Sequence, residues 1–298
     1  MTPPHDIYVE PFAGGAAVYF KKPPSEKEVL NDKDKEIAFA FRFLHDMTTN
    51  QFLDLRKFNW VKSERQFDKV KAMQPADNLQ RFYRFYYLKK ASWGCGSKNF
   101  SHLNAGESID IDRLWKVHLR LQRSHIHGID ALRLIDKYDS PNTFFYLDPP
   151  YPNRAFIGAN FSYGIEDLRR LLLKLRSIKG KFLLSLGTEH QHLLPPGWNV
   201  KRLMVRRGIP QGDGEFNQTF QYEIVASNYP LNEHKPALQT QFDRARGKPR
   251  IIKGFLEEPI EINPLESSKM PPEVAAAIGS YSAKVTPEGR VKIRVRRL

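Results

Sequence analysis

The chain has 298 residues, enough for one large α/β domain with an insertion or for two domains. Its mean hydropathy is -0.53, and no apolar run approaches the roughly 18 residues of a membrane-spanning helix, so we expect no membrane partner. The first residues lack the basic and apolar regions of a signal peptide. A single cysteine, Cys95, excludes an internal disulfide and a zinc site built on cysteine pairs.

The formal net charge is +14, with an isoelectric point near 9.7. Residues 51–127 hold 15 basic and seven acidic residues, and residues 284–298 hold six basic residues and one acid. Because lysine and arginine displace counterions from phosphates, this distribution favours a nucleic acid as the partner, with solvated basic surfaces as the alternative. The lone cysteine indicates a reducing compartment, either the cytoplasm or the nucleoid. The sequence is compatible with a cellular or a viral source.

The first predicted elements alternate between strand and helix. Residues 7–20 read as a strand, a glycine turn and the start of a helix. Residues 28–31 read as a second strand that ends at Asp32, and residues 33–46 as an amphipathic helix with Ile37 on its apolar face. Because helical crossovers join parallel strands, this order predicts a parallel sheet.

Residues 50–125 interrupt the alternation, since they are basic, aromatic and helical in pattern. The alternation then resumes and is followed by a glycine-rich loop and a late strand. The predicted elements are a strand at 125–128, a helix at 131–138, a strand at 143–151, a helix at 165–178, a strand at 181–186, a loop at 206–217 and a strand at 219–228. After about Pro230 the sequence is rich in proline and charge, and predicts a short helix at 272–278 and a hairpin of 283–285 with 290–295.

The first motif is the glycine loop, residues 10–16, with the sequence EPFAGGA. A glycine pair after a buried strand permits a tight turn and a close approach of the backbone to a ligand. Asp32 ends the next strand, 18 residues after Gly14, where a carboxylate can accept hydrogen bonds from both ribose hydroxyls of an adenosyl group. A purely structural turn is the alternative, and the spacing does not distinguish a dinucleotide from S-adenosylmethionine.

The second motif is the DPPY segment, Asp148, Pro149, Pro150 and Tyr151, at the end of an apolar strand. An adenine amine is a poor nucleophile because its lone pair is delocalised into the ring. Asp148 and a rigidly held Pro149 carbonyl can accept its two hydrogens, and Tyr151 offers a face for stacking worth about 1–3 kcal/mol per base. The alternative is a Pro-Pro turn capped by an aspartate.

Together these segments resemble the Dam-type, α-group family of adenine-specific DNA methyltransferases. The similar stretches are EPFAGGAA, LND, FYYLKKASWGCG, FFYLDPPY and TFQYEIVASNYP, and they extend from about Tyr8 to Pro230. The order of cofactor loop, basic insertion and DPPY segment is also similar. The resemblance implies an enzyme that transfers a methyl group from S-adenosylmethionine to the N6 amine of a flipped adenine in double-stranded DNA, and an association with restriction–modification systems.

The resemblance also implies site residues. The catalytic residues would be Asp148, Pro149, Pro150 and Tyr151. The cofactor would lie against Tyr8, Glu10, Phe12, Gly14, Gly15, Asp32, Asp130 and Asp148, with Asp32 at its ribose and Asp130 near its adenine. Family members also carry a glycine-rich segment with a lysine ahead of this point, where this sequence has MTPPHDI before Tyr8, so we expect cofactor affinity to be affected.

Basic residues in and after the insertion are candidates for phosphate contacts. They are Arg81, Arg84, Lys89, Lys90, Lys98, Arg206 and Arg207. The aromatics between the first four are more often core than stacking platforms, and Trp93 with its glycine neighbours is either a DNA contact or an ordinary loop. Cys95 lacks the pattern of an activated nucleophile. The nine histidines show no metal-ligand spacing, so we expect no metal.

The sequence therefore predicts a Rossmann-like, S-adenosylmethionine-dependent methyltransferase sheet with a mainly helical target-recognition insertion. Residues 1–49 and 126–230 would form the catalytic domain, residues 50–125 the insertion, and residues 231–298 an extension of unassigned role. Two alternatives stay open: a DNA-binding homologue with impaired catalysis, and a methyltransferase for another amine, such as an RNA base or cytosine N4. The oligomeric state is open as well, a monomer included.

Overall fold

A computed structural model describes residues 2–103, 105–152, 163–208, 218–231, 281–285 and 291–295. The strands are β1 (Ile7–Glu10), β2 (Lys27–Asn31), β3 (Ser124–His127), β4 (Thr143–Leu147), β5 (Lys181–Gly187), β6 (Asn199–Gly208), β7 (Gln218–Ser227), β8 (Tyr281–Val285) and β9 (Val291–Val295). The helices are α1 (Ala17–Lys21), α2 (Lys35–Asp46), α3 (Thr49–Leu55), α4 (Glu64–Ala72), α5 (Asn78–Ala91), α6 (Arg113–Leu121), α7 (Ala131–Tyr138) and α8 (Ile165–Leu175).

In this part of the chain, seven strands form one sheet in the order β3-β2-β1-β4-β5-β7-β6. The first five of these pair in parallel, which confirms the predicted parallel sheet, and β7 runs antiparallel to both neighbours. The order reverses direction between β1 and β4, and ligands of open α/β sheets bind at such a reversal. The fold is Rossmann-like.

The two faces of the sheet bury separate apolar clusters. Successive strand residues point to opposite faces, so Tyr8 and Phe144 lie in one cluster while Val9 and Phe145 lie in the other. The first cluster continues into the insertion, and the second packs beneath α7 and α8. The insertion is therefore not a separate globule, because it shares a core with one face of the sheet.

The helices of the insertion begin at polar residues that accept hydrogen bonds from exposed main-chain amides. Thr48 forms a capping box with Gln51 at the start of α3, Ser63 caps α4 and Asp77 caps α5. The aromatic residues of α5 then pack inward, with the Phe82 ring stacked on Phe43 at a centroid distance of 4.6 Å. The helical character predicted for this stretch is confirmed, and Phe82 serves as core.

Two features differ from the sequence prediction. Strand β4 ends at Leu147, so the DPPY segment lies beyond the strand and not within it. Strand β6 was missed, and its last residues, including Arg206 and Arg207, had been assigned to a loop. The sequence of β6, NVKRLMVRRG, groups its charged residues in pairs and lacks the regular alternation of a half-buried strand, which explains the error. The predicted hairpin is confirmed as β8 and β9, and the helix predicted at 272–278 lies outside the described residues.

A buried ion pair joins the insertion to the sheet. Arg120 of α6 and Glu28 of β2 are each 2% exposed, and Arg120 Nη2 donates to Glu28 Oε1 at 2.8 Å. Arg120 also donates to the Tyr19 hydroxyl at 2.8 Å and lies over its ring. Removing one member of such a pair leaves a buried charge without compensation.

We expect Arg120→Met to lower the free energy of unfolding by about 3 kcal/mol, because the buried Glu28 loses its guanidinium partner and keeps only the Lys22 ammonium. Urea titration measures this change. Arg169→Met is the matched control, since Arg169 pairs with Glu166 on the surface of α8 and exposed pairs contribute about 0–1 kcal/mol. Equal losses for the two variants would contradict the role assigned to the buried pair.

Candidate active site

Parallel pairing of β1 with β4 places the glycine loop beside the DPPY segment. Ile7 lies opposite Thr143 and Val9 opposite Phe145, so the two strands end at nearly the same level. The chain leaves β1 into residues 10–16 and leaves β4 into Asp148 at the same edge of the sheet. Two motifs that are far apart in sequence therefore form one site.

The glycine loop turns through two residues in the left-handed region. Gly14 has φ +48° and Ala16 has φ +51°. Apart from Gly14 and its two chain neighbours, no heavy atom of the described residues lies within 4 Å of the position that a Cβ on Gly14 would occupy, so the backbone of the loop has open space beside it. Left-handed alanine is strained, and such strain is tolerated where the surrounding contacts determine the turn.

Asp32 binds the backbone of the glycine loop through its carboxylate. Its Oδ2 accepts from the Gly14 amide at 2.9 Å and its Oδ1 from the Asp34 amide at 2.8 Å. Burial raises the pKa of Asp32, while these two amides and the nearby Lys89 oppose that effect. Each carboxylate oxygen has two lone pairs, so Asp32 keeps acceptor capacity for a ligand.

Asp130 and Phe12 lie on the flanks of the same region. Asp130 caps α7 by accepting from the Leu132 amide at 2.9 Å. The Phe12 ring meets the Tyr163 ring edge to face, with centroids 6.0 Å apart. The Tyr163 hydroxyl is buried and has no hydrogen-bond partner within the described ranges, and burial raises its pKa. An aromatic wall thus stands beside the glycine loop.

The DPPY segment combines an exposed acid with a buried tyrosine. Asp148 is exposed, Pro149 is buried and Tyr151 is 6% exposed. The Tyr151 hydroxyl donates to Asp148 Oδ1 at 3.4 Å and shares a hydrogen bond of 2.8 Å with Ser185 of β5. A phenol has one hydrogen, so Ser185 is the donor when Tyr151 donates to Asp148. The neighbouring strand therefore fixes the tyrosine.

Comparison with known proteins identifies the family. A family model described as D12 class N6 adenine-specific DNA methyltransferase matches residues 2–186, more than half of the chain and both motifs of the site. The chain belongs to this family. This membership confirms the predicted activity, methylation of the adenine N6 amine in DNA by a site-specific methyltransferase.

Two relatives support the assignment. The Type II methyltransferase M.CviBI of Paramecium bursaria Chlorella virus NC1A is 25% identical over 191 residues, which cover 60% of this chain and 72% of that protein. The Type II methyltransferase M.MjaIII of Methanocaldococcus jannaschii is 24% identical over 258 residues, covering 74% and 88%. Among solved structures, a precorrin 8w decarboxylase of Methanobacterium thermoautotrophicum covers 76% of this chain and 83% of its own, at 8% identity and a TM-score of 0.30. That likeness is too slight to bear on the fold.

Two of the residues predicted to bind DNA already have partners within the methyltransferase. Arg81 pairs with Glu36 and lies 3.9 Å from the centre of the Phe39 ring, and Arg84 donates to the Lys71 carbonyl at 2.9 Å. Both arginines line a cleft of about 400 Å³. They therefore already have partners within the insertion.

The remaining basic candidates lie at the end of α5, in the segment that follows it, and in β6. Lys89 and Lys90 are at the end of α5, and Lys89 is close enough to Asp32 to lower its pKa. Lys98 is exposed, and its carbonyl accepts from Lys71 Nζ at 2.7 Å. Arg206 and Arg207 lie in β6, where their side chains are outside the described part.

The described part of the methyltransferase contains neither a candidate metal site nor a membrane-spanning helix. Within the described ranges, His, Cys, Asp and Glu side chains form no cluster of three or more that could hold a metal ion. None of the helices in those ranges has the length and apolar character needed to cross a bilayer.

Tyr8 and Glu10 lie inside the methyltransferase, behind the glycine loop. Tyr8 is fully buried and donates to Glu10 Oε1 at 2.5 Å, and the Tyr19 amide donates to the same oxygen at 2.8 Å. Burial raises the pKa of Glu10 to about 8; these two hydrogen bonds and the charge of Lys22 oppose the rise, while Asp148 adds to it. A neutral carboxyl therefore lies, at neutral pH, beside the edge of the sheet that carries the two motifs.

We expect Glu10→Gln to remove a pH dependence of stability. Between the ordinary pKa of 4.5 and the folded value of about 8, the folded chain keeps a proton that the unfolded chain has released. Wild-type stability should therefore fall as pH rises through this window, by up to about 1.4 kcal/mol per unit from this group, relative to the always neutral variant. Urea titrations at several pH values measure the difference.

The exposed Glu107 supplies the control for this experiment. Glu107→Gln should keep the wild-type dependence on pH. Parallel stability curves for wild type and Glu10→Gln between pH 5 and 8 would show that Glu10 does not carry the proton.

Proposed function

We propose that this methyltransferase binds S-adenosylmethionine at the glycine loop and holds a flipped adenine of double-stranded DNA at the DPPY segment. The observation that carries the proposal is the parallel pairing of β1 with β4, which brings the two motifs to one edge of the sheet. A methyl donor and an amine acceptor must meet in line, so two adjacent sites at one edge are what the reaction needs.

The glycine loop fits an adenosyl group. The space beside Gly14 is open, Asp32 keeps acceptor capacity for ribose hydroxyls, and Phe12 with Tyr163 provides an apolar wall for a planar base. Asp130 lies in the loop after β3, at the start of α7, where it can meet the adenine. When bound, the cofactor would supply a methyl group already activated by its sulfonium.

The DPPY segment fits the target amine. Asp148 is exposed at the edge and can accept one amine hydrogen, while the Pro149 carbonyl can accept the other. Withdrawing both hydrogens from the ring plane favours a pyramidal nitrogen, whose lone pair is free to form the new bond to carbon. Transfer would break the carbon–sulfur bond of the donor, with the electron pair remaining on sulfur, and the nitrogen would give up one hydrogen as a proton through Asp148 to solvent. Since no covalent enzyme intermediate is needed, positioning and exclusion of water would carry most of the rate enhancement.

Tyr151 would orient the base. Its hydroxyl is held by Ser185 and Asp148, which fixes the plane of the ring. A fixed ring offers stacking to any base that leaves the duplex, and such stacking contributes about 1–3 kcal/mol. This contribution offsets part of the few kcal/mol that unstacking and unpairing a base costs.

The helical insertion, residues 50–125, would contact the DNA around the extruded base. Trp93 is 40% exposed in a turn where Gly94 has φ +60° and Ser97 has φ +59°. An exposed indole on a tightly turned loop can contact bases, and the exposed Lys98 can contact a phosphate. The extension after residue 231 stays without an assigned role.

We expect Asp148→Ala to lower kcat by about 100-fold or more, because the amine loses its side-chain acceptor. Transfer of label from S-adenosylmethionine to adenine-containing DNA measures the rate, and calorimetry should show cofactor affinity close to wild type. Asp148→Asn keeps one acceptor oxygen and should lose less. Asp136→Ala, an exposed aspartate of α7, is the control and should retain activity.

If wild type binds the cofactor and labels no DNA, the proposed reaction is wrong. If Asp148→Ala keeps wild-type transfer, the reaction stands and the role of Asp148 does not. Digestion of the labelled DNA to nucleosides locates the methyl group, which should lie on the adenine N6.

We expect Trp93→Ala to weaken DNA binding by about tenfold, which corresponds to the loss of one aromatic contact. Fluorescence anisotropy with a labelled duplex measures affinity at fixed salt. Val61→Ala is the control, because Val61 lies in the same insertion with 41% exposure and no aromatic ring. Equal affinities for wild type and Trp93→Ala would remove Trp93 from the interface.

A further inference from the structure

We propose that Asn31 is a positioning residue that sets the separation between the loop after β1 and the loop after β3. These two loops carry the residues that would hold the adenosyl group, so the inference rests on the proposed cofactor site. Asn31 ends β2, which lies between β1 and β3 in the sheet. It is therefore placed to reach both loops.

The side chain of Asn31 bridges the two loops directly. Its Nδ2 donates to the Pro11 carbonyl at 2.9 Å and to the Ile129 carbonyl at 3.0 Å, and its Oδ1 accepts from the Ile129 amide at 2.9 Å. The Asn31 carbonyl also accepts from the Ala13 amide at 2.8 Å. One residue thus binds the chain on both sides of Phe12 and the residue preceding Asp130.

These contacts replace sheet hydrogen bonds at the point where the sheet ends. Beyond the last paired residues, the main-chain groups of Pro11 and Ile129 have no strand neighbour to bond. Asn31 is 1% exposed, so water cannot fill that need. A carboxamide meets it because it has two donor hydrogens for the two carbonyls and an acceptor for the amide.

The separation of the two loops also affects Asp32, the residue proposed to bind the ribose. Asp32 follows Asn31 directly and accepts from the Gly14 amide. The positions of Asp32 and of both loops are therefore all fixed by contacts at the end of β2. A shift of either loop would change the width of the adenosyl site without touching the DPPY segment. Loss of Asn31 should therefore act on cofactor affinity more than on the chemical step.

Asn31→Leu tests the inference, since it fills a similar volume and removes every polar contact of the side chain. We expect its Kd for S-adenosylmethionine to rise by about tenfold or more in calorimetry. The KM for the cofactor should rise in parallel, while kcat at saturating cofactor stays within about threefold of wild type. DNA affinity without cofactor should not change.

Hydrogen exchange on the cofactor-free protein gives an independent measurement. The Ile129 amide loses its acceptor in Asn31→Leu and should exchange faster, together with the neighbouring loop. Unchanged exchange at Ile129 would overturn the bridging role, whatever the cofactor does.

Asn31→Asp gives a second variant of nearly equal size in case Asn31→Leu does not fold. Its carboxylate would face two carbonyls without a donor, and protonation would return one donor hydrogen. The ratio of its Kd to that of wild type should therefore shrink as pH falls. A ratio that is constant with pH and near one would overturn the inference.

The matched control is Asn228→Leu. Asn228 bridges backbone in the same way, with Nδ2 donating to the Gly180 carbonyl at 2.9 Å and Oδ1 accepting from the Phe182 amide at 3.1 Å, but at the opposite end of β5 from the site. It should leave cofactor affinity unchanged. If wild type itself binds no cofactor, the proposed function fails; if wild type binds and Asn31→Leu binds equally well, this inference alone fails.

Discussion

The parallel pairing of β1 with β4 is the constraint on which the site depends. It joins the start of the chain to a segment that follows the whole insertion, and it fixes the level at which both strands end. The residues proposed to take part in the reaction follow the strands at that level. The Gly14 amide binds Asp32 at the end of β2, and the pairing of β1 with β4 brings the DPPY segment to the same edge. The fold therefore supplies the geometry of the reaction, and local sequence supplies the groups.

The insertion is tied to that same frame. Its aromatic residues continue the apolar cluster on one face of the sheet, and Arg120 reaches Glu28 of β2 through a buried ion pair. The insertion that is proposed to contact DNA thus shares its core with the sheet that positions Asp148. A shared core would fix the orientation of the insertion relative to Asp148, which suits the proposed placement of one base at a fixed point.

Much of this arrangement could be predicted from the sequence because its signals are local. Apolar segments bounded by turns predicted β1, β2, β4 and β5, and the strand that precedes Asp148 predicted the edge of the sheet at which Asp148 lies. Strand β6 was missed because its charged residues come in pairs, Lys201 with Arg202 and Arg206 with Arg207, which removes the regular alternation of a half-buried strand. Edge pairing is a long-range event, so no short stretch announces it.

The site residues that were missed show the same limit. Asn31 stood beside Asp32 in the sequence, but its function depends on Pro11 and Ile129, which only the sheet brings to it. Ser185 was one polar residue in an apolar strand, a signal that could have indicated a buried partner such as Tyr151. The sequence predicts Arg81 and Arg84 as phosphate contacts, and it does not reveal that they bind Glu36 and the Lys71 carbonyl in the folded chain.

The charges of the molecule follow from the two ligands that the proposed reaction needs. A chain of net charge +14 attracts DNA, yet the edge that would receive the base carries Asp32, Asp130 and Asp148, with Glu10 behind them. Full ionisation of all four would repel phosphates near the site. Burial keeps Glu10 neutral at neutral pH, so the local acidity is smaller than the residue types suggest. A cationic cofactor reduces it further, and binding of the methyl donor would therefore lower the electrostatic barrier to DNA as well as supply the methyl group.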